Sequence, residues 1–164
     1  MPGWWAGKIR RVRVHLGAQV SLVERDAIAR VLTPAQLALF DGMHPADRRH
    51  GLDVRAALVA EGEGDPDLLL AALLHDCAKG PATGLVPRVL WALSVRYAPG
   101  TGPILASLPG IGPGVRRMRD HALRSADLAA AAGCSPRTVD LIARQEAPRD
   151  PAGVRLARAD EAMG

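Results

Sequence analysis

The stretch LLLAALLHDCAKG, residues 68–80, is apolar around a whole helical circumference and then ends in an adjacent histidine and aspartate. A helix that is apolar on every side is typical of the centre of a protein. His75 and Asp76 therefore fall where charge is unfavourable, because an unpaired buried carboxylate is strongly destabilising and the carbonyl end of a helix repels negative charge. Something positive must compensate Asp76.

Two different groups could compensate the negative charge of Asp76. Lys79, three residues on, could form an ion pair with it; only two of the 21 basic residues are lysines, Lys8 and Lys79. A divalent cation could instead satisfy the carboxylate and the imidazole of His75 together, because Mn, Fe, Co, Ni, Zn and Mg accept oxygen and nitrogen ligands to differing degrees. These residues alone do not separate the two alternatives.

The rest of the chain carries helix signals and no alternating strand pattern. Thr33, Asp65 and Ser135 are each followed by proline, the usual order of an N-cap and the first helical residue. The helix from Asp65 is expected to run to Gly80, and the uncharged, Gly/Pro-rich residues 97–115 are expected to form a loop. The prediction is an all-α protein with about six to seven helices.

Composition sets broad limits on function. The net charge of +4 and the pI near 9.8 admit an anionic partner such as a nucleotide, a nucleic acid or a lipid surface. Cys77 and Cys134 show no CxxC spacing, which indicates neither a disulfide scaffold nor a zinc ribbon. The first 20 residues lack the pattern of a secretory signal, so a cytoplasmic location is expected.

Three further residues complete the pattern. Spacings of three and four between apolar residues place His50 near the inward face of a helix, His121 is expected to head a later helix, and Asp160 lies in a short terminal helix. Together with the HD pair these residues resemble the HD-domain metal-dependent phosphohydrolases. That family carries a histidine, a His-Asp pair and a distant aspartate on separate helices.

The resemblance covers roughly residues 32–161 and is most specific in AALLHDCAKG, which is similar to the LLHDIGKG pattern of the family. It implies a compact helical bundle over residues 1–164, with a basic, Trp-containing segment at 1–20 and a Gly/Pro-rich insertion at 81–114. Arg144 and Gln145 stand where larger members of the family carry a His-His pair that belongs to a second metal site. The GYP signature of those members is also absent, so one metal ion is expected.

The resemblance also implies the roles of individual residues. The metal ligands are expected to be His50, His75, Asp76 and Asp160, and the ion is expected to activate water and polarise a phosphoryl oxygen. Asp76 and Lys79 are the expected catalytic residues. The expected substrate contacts come from Lys79 and from the three residues Arg48, Arg49 and His121.

The predicted activity is hydrolysis of a phosphomonoester or phosphodiester, nucleotide-like in character, with no specific nucleic-acid partner. One rival is a non-catalytic helical module that keeps the metal for stability and binds an anionic lipid surface, nucleic acid or protein. A second rival is a metal-free domain in which Asp76 pairs with Lys79. The arginines near the Trp residues also allow a weak association with an anionic membrane.

Overall fold

The computed structural model describes residues 19–80 and 83–163, and all regular structure in these ranges is helical. The all-α prediction is therefore confirmed, with nine α-helices in the described residues and a 3₁₀ turn at Cys77–Lys79. The helices are α1 Leu22–Ala29, α2 Pro34–Asp41, α3 Pro45–Ala60, α4 Pro66–Leu74, α5 Leu85–Tyr97, α6 Gly102–Ser107, α7 Gly112–Ala131, α8 Pro136–Ala143 and α9 Pro151–Met163.

The capping residues read from the sequence begin the expected helices. Thr33 accepts a hydrogen bond from the backbone N–H of Gln36, whose side chain in turn accepts from the N–H of Thr33, and this reciprocal pair starts α2. Asp65 accepts from the N–H of Asp67 at 2.9 Å at the start of α4. Ser135 does the same for α8, with 3.0 Å between its Oγ and the backbone nitrogen of Thr138.

Helix α4 occupies the centre of the bundle, as its evenly apolar sequence predicts. It packs against α2, α3, α8 and α9, and Leu68, Ala71 and Leu74 have no exposed surface. Burial on every side accounts for the absence of a polar face, because any charged side chain there would have to leave water.

The expected continuation of α4 to Gly80 is wrong. The helix ends at Leu74, His75 is its C-cap, and the chain then tightens into the 3₁₀ turn. One cause is tertiary: the backbone N–H of Ala78 donates to Oγ of Ser125 on α7 at 3.0 Å instead of to a carbonyl within α4. Gly80 then leaves the helical conformation with φ of +75°.

The expected loop at 97–115 is also wrong in part. It contains α6, and α7 begins at Gly112 rather than near Val115, so His121 lies inside α7 and not at its head. Pro103 and Pro113 occupy the first turns of these two helices, where proline is tolerated because its missing N–H would have no helical partner. The helix in this segment is one reason why the described residues contain nine α-helices instead of the expected six to seven.

Two further findings concern the N-terminal segment and the possibility of a membrane-spanning helix. The basic segment at 1–20 lies almost wholly outside the described residues, which begin at 19. Among the helices that are described, none is long and apolar enough to cross a membrane.

Gly51 lies at a close contact between α3 and α4, next to His50, whose ring centroid is 5.3 Å from that of His75. A Cβ atom at Gly51 would lie 2.8 Å from the carbonyl oxygen of Leu73 and 3.3 Å from that of Ala72. Because both neighbours are backbone atoms, a side chain at this position requires the helices to move apart.

Gly51→Ala is accordingly expected to lower the free energy of unfolding by about 1–3 kcal/mol, the usual range for overpacking. Urea denaturation followed by circular dichroism measures the change. Gly64→Ala is the control, since a Cβ at Gly64 meets no atom within 4 Å. Equal stability of the two variants would contradict a tight contact between α3 and α4.

Candidate metal centre

Three side chains from distant parts of the chain converge at the end of α4. His50 on α3, the C-cap residue His75 and Asp160 on α9 each present one donor atom, and these three atoms lie within 4.8 Å of one another. Nε2 of His50 is 2.7 Å from Oδ1 of Asp160, and Nε2 of His75 is 3.4 Å from the same oxygen. Two imidazoles and one carboxylate form a donor set that could hold a divalent metal ion.

Asp76 lies beside this group of three and outside it. Its carboxylate is almost fully buried, with Oδ2 in contact with the ammonium of Lys79 and 3.5 Å from Nε2 of His75. Its other oxygen, Oδ1, is 3.5 Å from Nε2 of His121. The structure therefore brings together all four residues expected as ligands, with three of them in one close group and Asp76 at its edge.

Two buried atoms at this centre make no hydrogen bond, namely Nε2 of His75 and Oδ1 of Asp76. Buried polar atoms are nearly always hydrogen-bonded, and an exception calls for a reason such as a bound ion. Both atoms can donate an electron pair, so a cation would satisfy them. His75 also belongs to the three-residue group, whereas Asp76 adds an atom from outside it, and both atoms support the same interpretation.

The orientation of His75 is set by a second contact of its ring. Nδ1 of His75 lies 3.0 Å from the carbonyl oxygen of Ala72, so in the neutral ring Nδ1 carries the hydrogen and Nε2 keeps its lone pair. His121 is held in the same way, with 2.7 Å between its Nδ1 and the carbonyl oxygen of Met118. Such carbonyl contacts typically orient histidines that bind metals through the other nitrogen.

Both carboxylates are in the form that attracts a cation. Burial alone would raise the pKa of Asp160, but the hydrogen bond from His50 and the nearby His75 lower it well below its usual range. Burial opposes ionisation of Asp76 too, and the charges of His75 and Lys79 outweigh it, so its pKa is also low. Asp76 and Asp160 are therefore ionised at neutral pH.

The same charges act on the basic members of the centre. Burial by itself would lower the pKa of His75, but the neighbouring carboxylates of Asp76 and Asp160 raise it. The pKa of Lys79 is raised by Asp76 and Asp47 against the opposing effect of burial. In the absence of a metal, the two carboxylates favour a proton on His75; a bound metal would take the place of that proton.

A second charged group lies next to Lys79 and was not foreseen from the sequence. Asp47, which is buried, accepts hydrogen bonds from both terminal nitrogens of Arg88 at 2.7 and 2.8 Å, and Arg88 also donates to the carbonyl of Thr83 at 3.0 Å. Asp47 lies three residues before His50 on α3, a spacing that places both on one helix face. The spacing of Asp47 and His50 is therefore the feature of the sequence from which a place for Asp47 near the centre could have been predicted.

Two arginines expected to contact substrate have other partners. Arg49 is 2.5 Å from Oε1 of Glu24 and 2.7 Å from Oδ1 of Asp53, and Arg48 lies 4.0 Å from Oδ1 of Asp41. These acidic residues belong to α1, α2 and α3. Carboxylates away from the centre hold the guanidinium of Arg49, whereas Arg48 only approaches Asp41 and its buried Nε makes no hydrogen bond within the described residues. The geometry gives no support to a substrate contact of Arg49, and that of Arg48 stays a prediction.

The residues after α8 take part in the centre indirectly. The side-chain amide of Gln145 donates to the backbone carbonyl of His75 at 3.1 Å, which helps to fix the end of α4. Oε1 of Glu146 lies 4.0 Å from Nδ1 of His121. Neither role has a signal in the sequence, since an amide or a carboxylate near a helix end has many possible partners.

Neither cysteine contributes to the centre. Both are free thiols, and Cys77 is buried in the apolar core. Burial raises the pKa of Cys77 to about 12, so the thiol stays protonated and is a poor nucleophile and a poor metal ligand. Cys134 packs against the same core, so both cysteines act as small apolar residues.

Comparison of the chain with protein-family models, with curated proteins and with solved structures found no match. The side chains of the centre are therefore the basis on which a function can be proposed.

Lys79→Met tests whether the stability of the protein depends on the ion pair between buried Asp76 and the ammonium of Lys79. The substitution leaves a buried carboxylate without its ammonium partner, so the metal-free variant is expected to lose about 3 kcal/mol of unfolding free energy. Urea denaturation in the presence of a chelator measures the loss. Arg124→Met is the control, because Arg124 is an exposed cation on α7, and equal stability of the two variants would contradict the dependence.

Proposed function

We propose that the protein is a metal-dependent phosphohydrolase of the HD type, which binds one divalent ion and hydrolyses a nucleotide-like phosphomonoester or phosphodiester. The observation that carries the proposal is the pair of buried atoms without hydrogen bonds, Nε2 of His75 and Oδ1 of Asp76, beside the ionised carboxylate of Asp160. Such a set of electron-pair donors is suited to a cation.

The ion pair between Asp76 and Lys79 does not explain the centre by itself. Lys79 contacts only Oδ2 of Asp76, which leaves Oδ1 of Asp76 and Nε2 of His75 without a hydrogen bond. It also gives no reason for His50 and Asp160 to converge from distant helices. The ion pair and a bound metal are therefore compatible, because Lys79 holds Oδ2 of Asp76 in place and leaves Oδ1 without a hydrogen bond.

The chemistry divides between the ligands and the neighbouring charges. His50, His75 and Asp160 would hold the ion, with Asp76 at the edge of the group, and a bound divalent ion supplies Lewis acidity and a lowered pKa for water. Lys79 stays protonated, since the pKa of its ammonium is raised, and can neutralise charge on a phosphate oxygen. Asp76 holds that ammonium in position, and Asp47 adds to the negative field around it.

Metal content is the most direct test of the site. The wild-type protein, incubated with Mn, Fe, Co, Ni or Zn and desalted, is expected to retain about one ion per chain in elemental analysis. Asp160→Asn and Asp76→Ala are expected to lose most of it. Asp127→Asn is the control, because Asp127 is an exposed carboxylate on α7. No ion in the wild-type protein, or equal content in all four proteins, would contradict the site.

Removal of the metal should also change stability. A chelator is expected to lower the melting temperature of the metal-loaded wild-type protein, because a ligand that binds only the folded state stabilises it. The same treatment should leave Asp160→Asn unchanged. A wild-type protein whose melting temperature does not respond to metal or chelator would favour the metal-free domain in which Asp76 pairs only with Lys79.

Turnover tests the reaction. Mn- or Co-loaded protein is expected to release phosphate from nucleoside monophosphates or p-nitrophenol from its phosphate esters, and Lys79→Met is expected to reduce kcat by about 100-fold, a usual loss for an electrostatic stabiliser. Metal binding without turnover on monoesters and diesters would refute the hydrolase and favour the non-catalytic module.

That alternative module has one supporting observation of its own. A cavity of about 300 Å³ between α7 and the segment after α8 is lined by Arg119, Arg144 and Arg149 together with Glu146 and four apolar residues. Arg119 and Arg144 are each paired with a carboxylate, Asp120 and Asp140, so Arg149 is the guanidinium group of this hollow that favours an anionic partner. Binding of an anionic vesicle or oligonucleotide that is lost in Arg149→Glu, in a protein without turnover, would favour this function.

A further inference from the structure

Arg117 lies beside the turn that carries Asp76 and Lys79. It precedes His121 by one turn of α7, and its side chain packs against Gly80, the residue that follows Lys79. A Cβ atom at Gly80 would be only 3.4 Å from a terminal nitrogen of Arg117 and 3.5 Å from its Cδ. Glycine at this position thus allows both the positive φ of the turn and the close approach of the guanidinium.

The guanidinium of Arg117 has no carboxylate partner. Within residues 19–80 and 83–163, its one hydrogen bond goes to the hydroxyl of Thr83, at 3.3 Å, and no acidic side chain lies within ion-pair distance of it. The sequence outside these ranges contains no Asp or Glu. Nearby Arg88 is the opposite case, because both of its terminal nitrogens are engaged by Asp47.

Within the described residues, Arg117 is a partly buried arginine whose one hydrogen-bond partner is the hydroxyl of Thr83. A guanidinium carries five N–H donors in a planar fork that matches the oxygens of phosphate. Arg117 therefore offers two-pronged phosphate recognition beside Gly80, the residue that follows Lys79.

The charges of the centre select among phosphate esters. The two carboxylates of Asp76 and Asp160 balance one divalent ion, which leaves Lys79 as a single positive charge. Arg117 supplies a second, whereas Arg88 is neutralised by Asp47. Two positive charges match the dianion of a terminal phosphomonoester better than the monoanion of a diester.

We propose that Arg117 binds the phosphoryl group of the substrate together with Lys79, and that this pair makes the site selective for dianionic phosphomonoesters. The inference rests on the proposed function and narrows its substrate class. It assigns Arg117 the role for which the sequence suggested Arg48 and Arg49.

The test measures binding apart from activity. Isothermal titration of the metal-loaded protein at about pH 8, where monoesters are dianions, compares methyl phosphate with dimethyl phosphate. The wild-type protein is expected to bind methyl phosphate more tightly. Arg117→Gln should weaken methyl phosphate by about 10- to 100-fold, the usual effect of a charge-assisted pair, and dimethyl phosphate by less. Arg124→Gln, the same substitution two turns along α7, should bind like the wild-type protein.

Melting temperatures establish that the variants are folded. If Arg117→Gln does not fold, Arg117→Lys decides the question, because it keeps the charge and loses the fork; a loss of roughly threefold or more for methyl phosphate is then expected. Unchanged binding in the folded Arg117 variant, or a wild-type protein that binds neither probe, would overturn the proposal.

The two proposals fail in different ways. Loss of metal binding and of turnover, with methyl phosphate still held through Arg117, would refute the hydrolase and leave the phosphate site. Turnover on diesters that is indifferent to Arg117→Gln would leave the hydrolase and refute the role of Arg117.

Discussion

Burial of an ionised aspartate at the carbonyl end of the central helix is the constraint on which the rest of the centre depends. Asp76 is almost wholly removed from water, and its position follows from the end of α4 at Leu74. A carboxylate there is tolerated only with positive neighbours, since the desolvation of an unpaired buried charge is strongly destabilising. Lys79 meets part of this requirement, and the oxygen of Asp76 without a hydrogen bond is the observation from which the metal is proposed.

The surrounding charges form two layers with different tasks. The inner layer, His50, His75 and Asp160, gathers electron-pair donors from α3, α4 and α9. The outer layer runs from Asp47 through Arg88 to Thr83, where Arg117 ends the sequence of contacts. Arg88 is neutralised by Asp47, whereas Arg117 has no carboxylate partner among the described residues. The site that we propose, with a cation and an adjacent anion, would use this difference.

Prediction from sequence succeeded where the signal was local. The caps at Thr33, Asp65 and Ser135 start their helices because each needs only a side chain and the backbone two or three residues ahead. The Gly/Pro-rich segment was misjudged because Pro103 and Pro113 were counted as breakers, although proline in the first turn of a helix is compatible with it. The continuation of α4 failed for a tertiary reason, the bond from Ala78 to Ser125.

The sequence by itself determined the all-α class, the central position of α4 and the expectation that His50, His75, Asp76 and Asp160 belong together. The class and the position of α4 follow from periodicity and from caps, whereas the grouping of the four residues follows from the resemblance to HD-domain phosphohydrolases. Only the tertiary structure decided the partners of the charged side chains, including the capture of Arg49 by Glu24 and the absence of a carboxylate beside Arg117. The reason is physical: helix signals act over one or two turns, whereas the partner of a long charged side chain depends on which helices pack within a few ångströms of it.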